Sequence, residues 1–251
     1  MKNWLISTEK KQTEYYDGIE IHADIGLHEQ AFDFFSKYVE KGTKVLDIGA
    51  GAGAFSKRLH NNGYKVEAID VETFEWIPKE IPFLKLDLNK GLKNSVNCKY
   101  DALCCLEVIE HLENPWGFLR EINSITNIGG KLLLTTPNIT SFWSRMYFLR
   151  LGHFHGFMPY DLSYGHINPL SGYEIELIAK NTGWKVLEIR PGGYLPIFDF
   201  SEFKPKLLVS NLFRWLAYII SKGYKKGWVL MFMLEKVDES ENVYKPGVYH
   251  Y

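Results

Sequence analysis

Cysteine is scarce in this sequence: three in 251 residues, Cys98, Cys104 and Cys105, an odd number with no C-x-x-C spacing. That count excludes a disulfide scaffold or a zinc knuckle and points to a reducing, cytoplasmic setting. No stretch approaches the roughly 18 uncharged apolar residues that a helix needs to cross a bilayer. The apolar run within Met1–Lys11 is too short for a signal peptide. Charge of one sign is also missing: 29 basic and 30 acidic side chains leave a net charge of -1. Nothing in the overall field therefore favours nucleic acid. There is no internal repeat and no low-complexity linker, so the chain reads as one domain over 1–251.

What is present is a regular alternation. Leu27, Ala31, Phe34, Phe35, Tyr38 and Val39 recur at helical spacing. Strand-like apolar runs follow at 44–48, 65–69, 83–87, 101–106 and 131–135, and then at 185–189 and 228–236. Asn114 and Pro115 read as the cap and first position of a helix running to Thr126. Ser171 and Glu174 have capping-box spacing, with Gly183 placed to end that helix. Strands alternating with helices predict an α/β fold with a doubly wound, mostly parallel sheet. Such sheets bind ligands beyond the carboxyl ends of their strands.

One of those ends carries "VLDIGAGAGAF". Gly49, Gly51 and Gly53 make a turn that a ligand can approach closely, and the stretch also fits the loose dinucleotide pattern G-x-G-x-x-A. Asp47 separates two ligands. A dinucleotide would set its pyrophosphate against this loop, where Asp47 repels it. S-adenosylmethionine carries an ammonium and a sulfonium, which a carboxylate suits. "YKVEAID" ends in Asp70, 21 residues after Gly49, placed to accept from ribose hydroxyls. "FLKLDL" places Asp87 at the next strand's tip, within reach of an adenine amino group. Strand-end aspartates also serve as caps and turn formers, and that reading stays open for each of them.

"VLDIGAGAG", "VEAID", "LKLDL", "DALCCLEVIEHLENP" and "GGKLLLTTPN" resemble, in order and spacing, the class I S-adenosylmethionine-dependent methyltransferases. The likeness covers about residues 26 to 190. It is similar in particular to the branch holding the ubiquinone-pathway O-methyltransferases and the small-RNA 2′-O-methyltransferases. The resemblance implies a seven-stranded Rossmann-like sheet whose last strand, "WVLMFMLEK", is antiparallel. It also implies a cofactor pocket lined by Gly49, Ala50, Asp70, Val71, Asp87, Leu88, Leu106 and Glu107, with His28 where the methionine carboxylate would be held.

In "CCLEVIEHLENP", Leu106 ends a buried strand and Glu107, Glu110 and His111 follow. Helical geometry would make Glu107 a neighbour of both Glu110 and His111. Transfer of a methyl group to oxygen needs the hydroxyl deprotonated behind the sulfonium. A histidine base does this in one way, and a divalent metal that lowers the hydroxyl pKa does it in another. His166 in "SYGHINPLS" would reach the site from across the cleft. Relatives that methylate diols and catechols hold magnesium with such a Glu-x-x-Glu-His set plus a distant histidine. The resemblance thus offers Glu107, Glu110, His111 and His166 as an Mg2+ set. Against this, both glutamates read equally as a solvated helix start. Cys104 and Cys105 read as small buried hydrophobes.

Two acid-free, aromatic segments remain. Residues 139–160 hold two arginines and two histidines; residues 203–234 hold Lys204, Lys206, Arg214, Lys222, Lys225 and Lys226. They define insertions over 139–170 and 196–226 expected to cap the acceptor side. "LLVSNLFRWLAYIISK" reads as a helix with a narrow polar stripe (Ser210, Arg214, Ser221), apolar elsewhere, which must bury against something. A lid, a homodimer interface and peripheral contact with a membrane surface all fit. The expected function is O-methylation of a small-molecule, sugar or lipid-linked hydroxyl, with nucleic acid disfavoured as acceptor. An NAD(P)-dependent oxidoreductase and a non-catalytic binding module stay open as rivals.

Overall fold

The computed structural model describes residues 6–7, 13–71, 76–92, 95–96, 98–200 and 205–240. Most of Met1–Lys11, and Lys204, lie outside the described residues. The elements run β1 (Ile6–Ser7), β2 (Glu14–Tyr16), β3 (Ile19–Ile21), α1 (Leu27–Ser36), β4 (Lys44–Ile48), α2 (Ala54–Asn61), β5 (Lys65–Asp70) and β6 (Phe83–Lys85). Then come β7 (Tyr100–Cys105), α3 (Pro115–Ser124), β8 (Thr126–Pro137), α4 (Phe142–Leu151), α5 (Pro159–Ser163) and α6 (Gly172–Asn181). The chain continues through β9 (Trp184–Gly192), β10 (Phe198–Asp199), α7 (Pro205–Ile220) and β11 (Val229–Lys236).

Seven strands form one sheet in the order β6-β5-β4-β7-β8-β11-β9. β4 pairs in parallel with β5 and β7, whereas β11 runs antiparallel between β8 and β9, with Phe232 opposite Leu134 and Ile189. The antiparallel last strand implied by the family resemblance is thus present. Strand order reverses at β4, since the chain winds outward through β5 and β6 before returning to β7. That reversal opens a crevice at the carboxyl ends of β4 and β7.

Alternation along the strands builds two cores. Leu46, Ile48, Leu103, Cys105, Leu132 and Leu134 pack against α3 and α6 through Phe118, Leu119, Ile175 and Ile178. Val45, Ala102, Cys104 and Leu133 face the other way, onto Phe34 and Phe35 of α1 and Phe55 and Leu59 of α2. Each fully buried side chain of this size contributes about 1.5–3 kcal/mol. Cys104 and Cys105 are buried, and desolvation pushes both thiols well up, as inert packing residues would be. Asn114 caps α3 through the Gly117 amide, and Ser171 caps α6 through the Glu174 amide.

Two strand expectations shift. The run at 83–87 pairs only over Phe83–Lys85. Asp87 then turns its carboxylate onto the Asn89 amide and caps a 3₁₀ turn at Leu88–Lys90, so local side-chain bonding replaces the ladder. The strand expected at 131–135 is longer, Thr126–Pro137, because both neighbours continue to pair with it.

Candidate active site

A cavity of about 970 Å³ lies over the β4/β7 crevice, within the usual size range of ligand pockets. Its wall includes His28, Asp47, Gly49, Ala50, Gly51, Asp70, Val71, Asp87, Leu88, Leu106, Glu107, His111 and His166. Gly53 does not line it. A side chain there would strike Trp76 and Pro78, and its φ of +98° starts α2, so Gly53 serves helix entry and packing. Gly49 lines the cavity, but its lack of a side chain answers another demand. At φ +75° a Cβ would stand 2.1 Å from Val108 Cγ2, so glycine lets β4 turn beneath the segment after β7.

The loop is held by the acids around it. Asp70 accepts from the Gly51 amide at 2.8 Å, while the Gly49 and Ala50 amides donate to Ile69 O. Asp47 lies beneath, 2% exposed, accepting from Ser56 Oγ at 2.5 Å. Burial raises its carboxyl to about 7 against that hydrogen bond, and the nearby Asp70 charge adds to the rise. Asp47 therefore acts mainly as a strut between β4 and α2. Seven acids border the cavity (Glu20, Asp24, Asp47, Asp70, Asp87, Glu107, Asp161), and no lysine or arginine appears on its described wall. Even with the Asp47 and Glu107 carboxyls raised by burial, such a wall repels a pyrophosphate and suits a cationic ligand.

His28, in the first turn of α1, also lines the cavity. Its ring packs edge-on against Phe55, and Nδ1 is buried without a protein partner. Desolvation, then the Arg58 charge, lower its pKa to about 3. A carboxylate would satisfy the orphaned nitrogen and meet a positive field from Arg58, which stacks on Tyr16. Arg58 was not foreseen, since it looks like an ordinary cation in the last turn of α2. The low pKa has a signed consequence. An unfolded imidazole takes up a proton below about pH 6.5, whereas the folded one does so only near 3. Its contribution to stability is whole above pH 6.5 and is lost as pH falls from there towards 3. Relative to His28→Gln, the wild type should lose about 1.4 kcal/mol per pH unit in that window. Urea unfolding at pH 7.5 and 5.5 measures this; identical pH dependences would mean that the ring protonates freely in the fold.

Beyond β7 the expected helical turn does not form at Glu107. That residue has φ +53°, a conformation uncommon for side chains other than glycine, asparagine and aspartate. Thr135 holds it there: the Glu107 amide donates to Thr135 Oγ1 (2.9 Å), which donates to Glu107 Oε1 (2.7 Å). A 3₁₀ turn starts only at Ile109–His111. It brings Glu110, His111 and His166 together, with one ligand atom of each within 4.8 Å of the others. Glu107 stays outside that cluster, so the four-residue set becomes three. Glu110 is fully buried, with Oε2 accepting from Thr136 Oγ1 at 3.2 Å and Oε1 unpartnered. Burial pushes its carboxyl up to about 8, and raises Glu107 as well, with the Glu110 charge adding to the latter.

The His111 and His166 rings meet edge-to-face at 4.6 Å. His166 shares a 2.6 Å hydrogen bond with Gly156 O, and the Ile167 and Asn168 amides donate to Glu110 O. Burial, then His166, lower the His111 pKa, so the ring is neutral and can accept a proton at neutral pH. Thr135 and Thr136 belong to "GGKLLLTTPN", and the sequence reading gives them no site role, although two adjacent threonines near the end of an apolar strand mark where polar groups converge. Of the two insertions, the first supplies wall residues His155, Gly156, Tyr160, Asp161, Tyr164 and His166. No described residue of 196–226 borders the cavity, and this insertion meets the first where α7 packs on α4.

The sheet order, with its antiparallel last strand, and the family likeness together define a class, the methyltransferase domains. The chain belongs to the methyltransferase domain family, whose model matches residues 21–189. It is 31% identical over 115 residues to the ubiquinone biosynthesis O-methyltransferase of Xanthomonas oryzae, covering 39% of this chain and 45% of that protein. The Xylella fastidiosa protein of the same name is 29% identical over 131 residues, covering 45% and 50%. The chain thus spans about half the length of the curated relatives it matches. Among solved structures, a SAM-dependent methyltransferase from Archaeoglobus fulgidus superposes with a TM-score of 0.59 at 17% identity, covering 83% of this chain and 92% of that one. Magnesium protoporphyrin IX methyltransferase from Synechocystis PCC 6803, solved with bound SAH, gives 0.53 at 16% identity, with 84% of each chain covered.

Proposed function

We propose that this chain moves the methyl group of S-adenosylmethionine onto a hydroxyl oxygen of a small, sugar or lipid-linked acceptor. The carrying observation is that one cavity holds both the acid-lined glycine loop and the neutral His111 beside Glu110 and His166. On this reading Asp70 would accept from the ribose, Asp87 from the adenine amino group, and His28 would meet a carboxylate. The acceptor hydroxyl gives its proton to the His111 imidazole as the oxygen attacks the methyl carbon and the carbon–sulfur bond breaks. S-adenosylhomocysteine then leaves with the electron pair. The curated relatives are named as O-methyltransferases, which favours oxygen as the acceptor atom. An acid-rich wall without cations disfavours the oxidoreductase reading. Calorimetry with S-adenosylmethionine and NADH, followed by homocysteine-product assays over a panel of hydroxyl acceptors, tests the proposal. Tight NADH binding, or methylation of amines alone, would overturn it.

A second reading rests on the unpartnered Glu110 Oε1 and the three converging donors. Glu110, His111 and His166 would hold a divalent ion, which when bound supplies Lewis acidity to the acceptor hydroxyl. Two imidazoles and one carboxylate suit a borderline ion such as Zn2+ better than Mg2+, which favours oxygen ligands. On this reading EDTA abolishes turnover and Zn2+ restores it, with the cofactor dissociation constant unchanged. Full activity in chelator would confine the cluster to proton transfer.

A further inference from the structure

Helix α7 is inside out. Its polar residues point inward: Asn211 (5% exposed) and Arg214 (7% exposed) are buried, as is Ser221 just beyond its end. Arg214 donates through Nε to Ile197 O at 3.1 Å and through its terminal nitrogen to Pro196 O, and its guanidinium lies over the Trp143 ring. Asn211 accepts from the Asp199 amide and donates to Asp199 O, both at 2.8 Å. The outward face is apolar: Leu208, Leu212, Phe213, Leu216, Ile219 and Ile220 are 43–74% exposed. The polar stripe is thus the face the fold covers, and the hydrogen bonds explain why this orientation holds. Rolling the helix to bury its leucines would strip a buried guanidinium and an amide of their partners.

The neighbouring helix also exposes apolar side chains. α4 packs beside α7 and exposes Phe148, Leu149 and Leu151. The two segments that carry the patch hold cations and no acids. Arg150, Lys222 and Lys226 are exposed, and there is no acid in 139–160 or in 203–234.

We propose that the outer face of α7, continued by α4, docks on the surface of an anionic lipid bilayer. A second copy of the chain is a poorer occupant. A two-fold interface sets the same patch against itself, so Arg150, Lys222 and Lys226 would meet one another, and neither segment supplies a carboxylate to pair with them. Anionic headgroups complement the cations while the acyl boundary takes the leucines. At about 24 Å, a 16-residue helix is too short to span the hydrocarbon core but suits lying in its plane. Among the described residues no helix is long and apolar enough to cross a membrane. α4 leads into the His155–Tyr164 wall of the cavity, so docking would bring the acceptor side close to lipid. The docking itself stands independently of the acceptor's identity.

Flotation with phosphatidylcholine vesicles, with and without about one-third phosphatidylglycerol, at low and high salt, tests this. The whole chain should float with the anionic vesicles at low salt and be released as salt screens the cations. Leu212→Asp with Leu216→Asp should weaken binding at least tenfold while leaving the melting temperature and cofactor affinity unchanged. Lys222→Gln with Lys226→Gln should weaken it on anionic vesicles by roughly 25-fold, about fivefold per cation. Because both lysines are exposed and beyond the helix, this pair decides the matter if the aspartates disturb folding. Failure of the wild type to float with anionic vesicles at low salt would overturn the proposal. So would a stable solution dimer that Leu212→Asp dissociates, which would make the face a subunit interface.

Discussion

Replacing His111 by alanine should lower the methyl-transfer rate by about 100- to 10,000-fold, with the cofactor dissociation constant changed no more than about twofold. The ring lies beside His166 and the buried Glu110, on the wall of the cavity that also holds the glycine loop. Burial and His166 lower its pKa, so the neutral form that accepts a proton persists to a lower pH than for a free imidazole. The wild-type rate should therefore rise with pH through a limb centred below the ordinary value of about 6.5, and the variant should lack that limb. His111→Gln, closer in shape, separates chemistry from packing. If the glutamine variant keeps the rate, or both variants lose cofactor binding as steeply as turnover, His111 is a structural residue. Stopped assays across pH 5–8 alongside cofactor calorimetry read both quantities.

How much of this the sequence disclosed depended on whether a side chain's role is local. The order of strands and helices, the glycine turn, and Asp70 at a strand tip follow from periodicity and position. The structure has them there, with Asp70 latched to the Gly51 amide. Roles fixed by a distant partner were not legible. Glu107 was expected on one helical turn with Glu110 and His111, but Thr135, 28 residues on, holds it in a left-handed backbone. Gly53 was expected at the ligand, yet Trp76 and Pro78 set its need for glycine. α7 shows the same limit more sharply. Its pattern gives the helix, the stripe and an apolar circumference that must bury against something, but not which face the fold itself covers. The carbonyls of Pro196 and Ile197, which accept from Arg214, and the Asp199 backbone, bonded to Asn211, are reached only in the folded chain and turn the stripe inward.

Asp70→Ala should weaken S-adenosylmethionine by about 1.5–3 kcal/mol, roughly ten- to a hundredfold and more at the upper end. Two losses coincide in that residue. Its carboxylate lines the cavity at the tip of β5, where ribose hydroxyls would donate to it, and charged acceptors give the stronger hydrogen bonds. It also accepts from the Gly51 amide, so the variant frees the loop at the residue that must approach the ligand. Asp70→Asn separates the two. An amide oxygen can still accept from Gly51 but gives weaker, uncharged bonds to ribose, so asparagine should recover part of the affinity and all of the thermal stability. Calorimetry on wild type and both variants measures this, with the homocysteine product as a second ligand that shares the ribose and lacks the sulfonium charge. A loss equal for the two ligands locates the effect at the sugar. A loss confined to S-adenosylmethionine would mean that Asp70 acts as a counter-charge for the sulfonium and not as a ribose acceptor, and an unchanged constant would remove Asp70 from the cofactor site altogether.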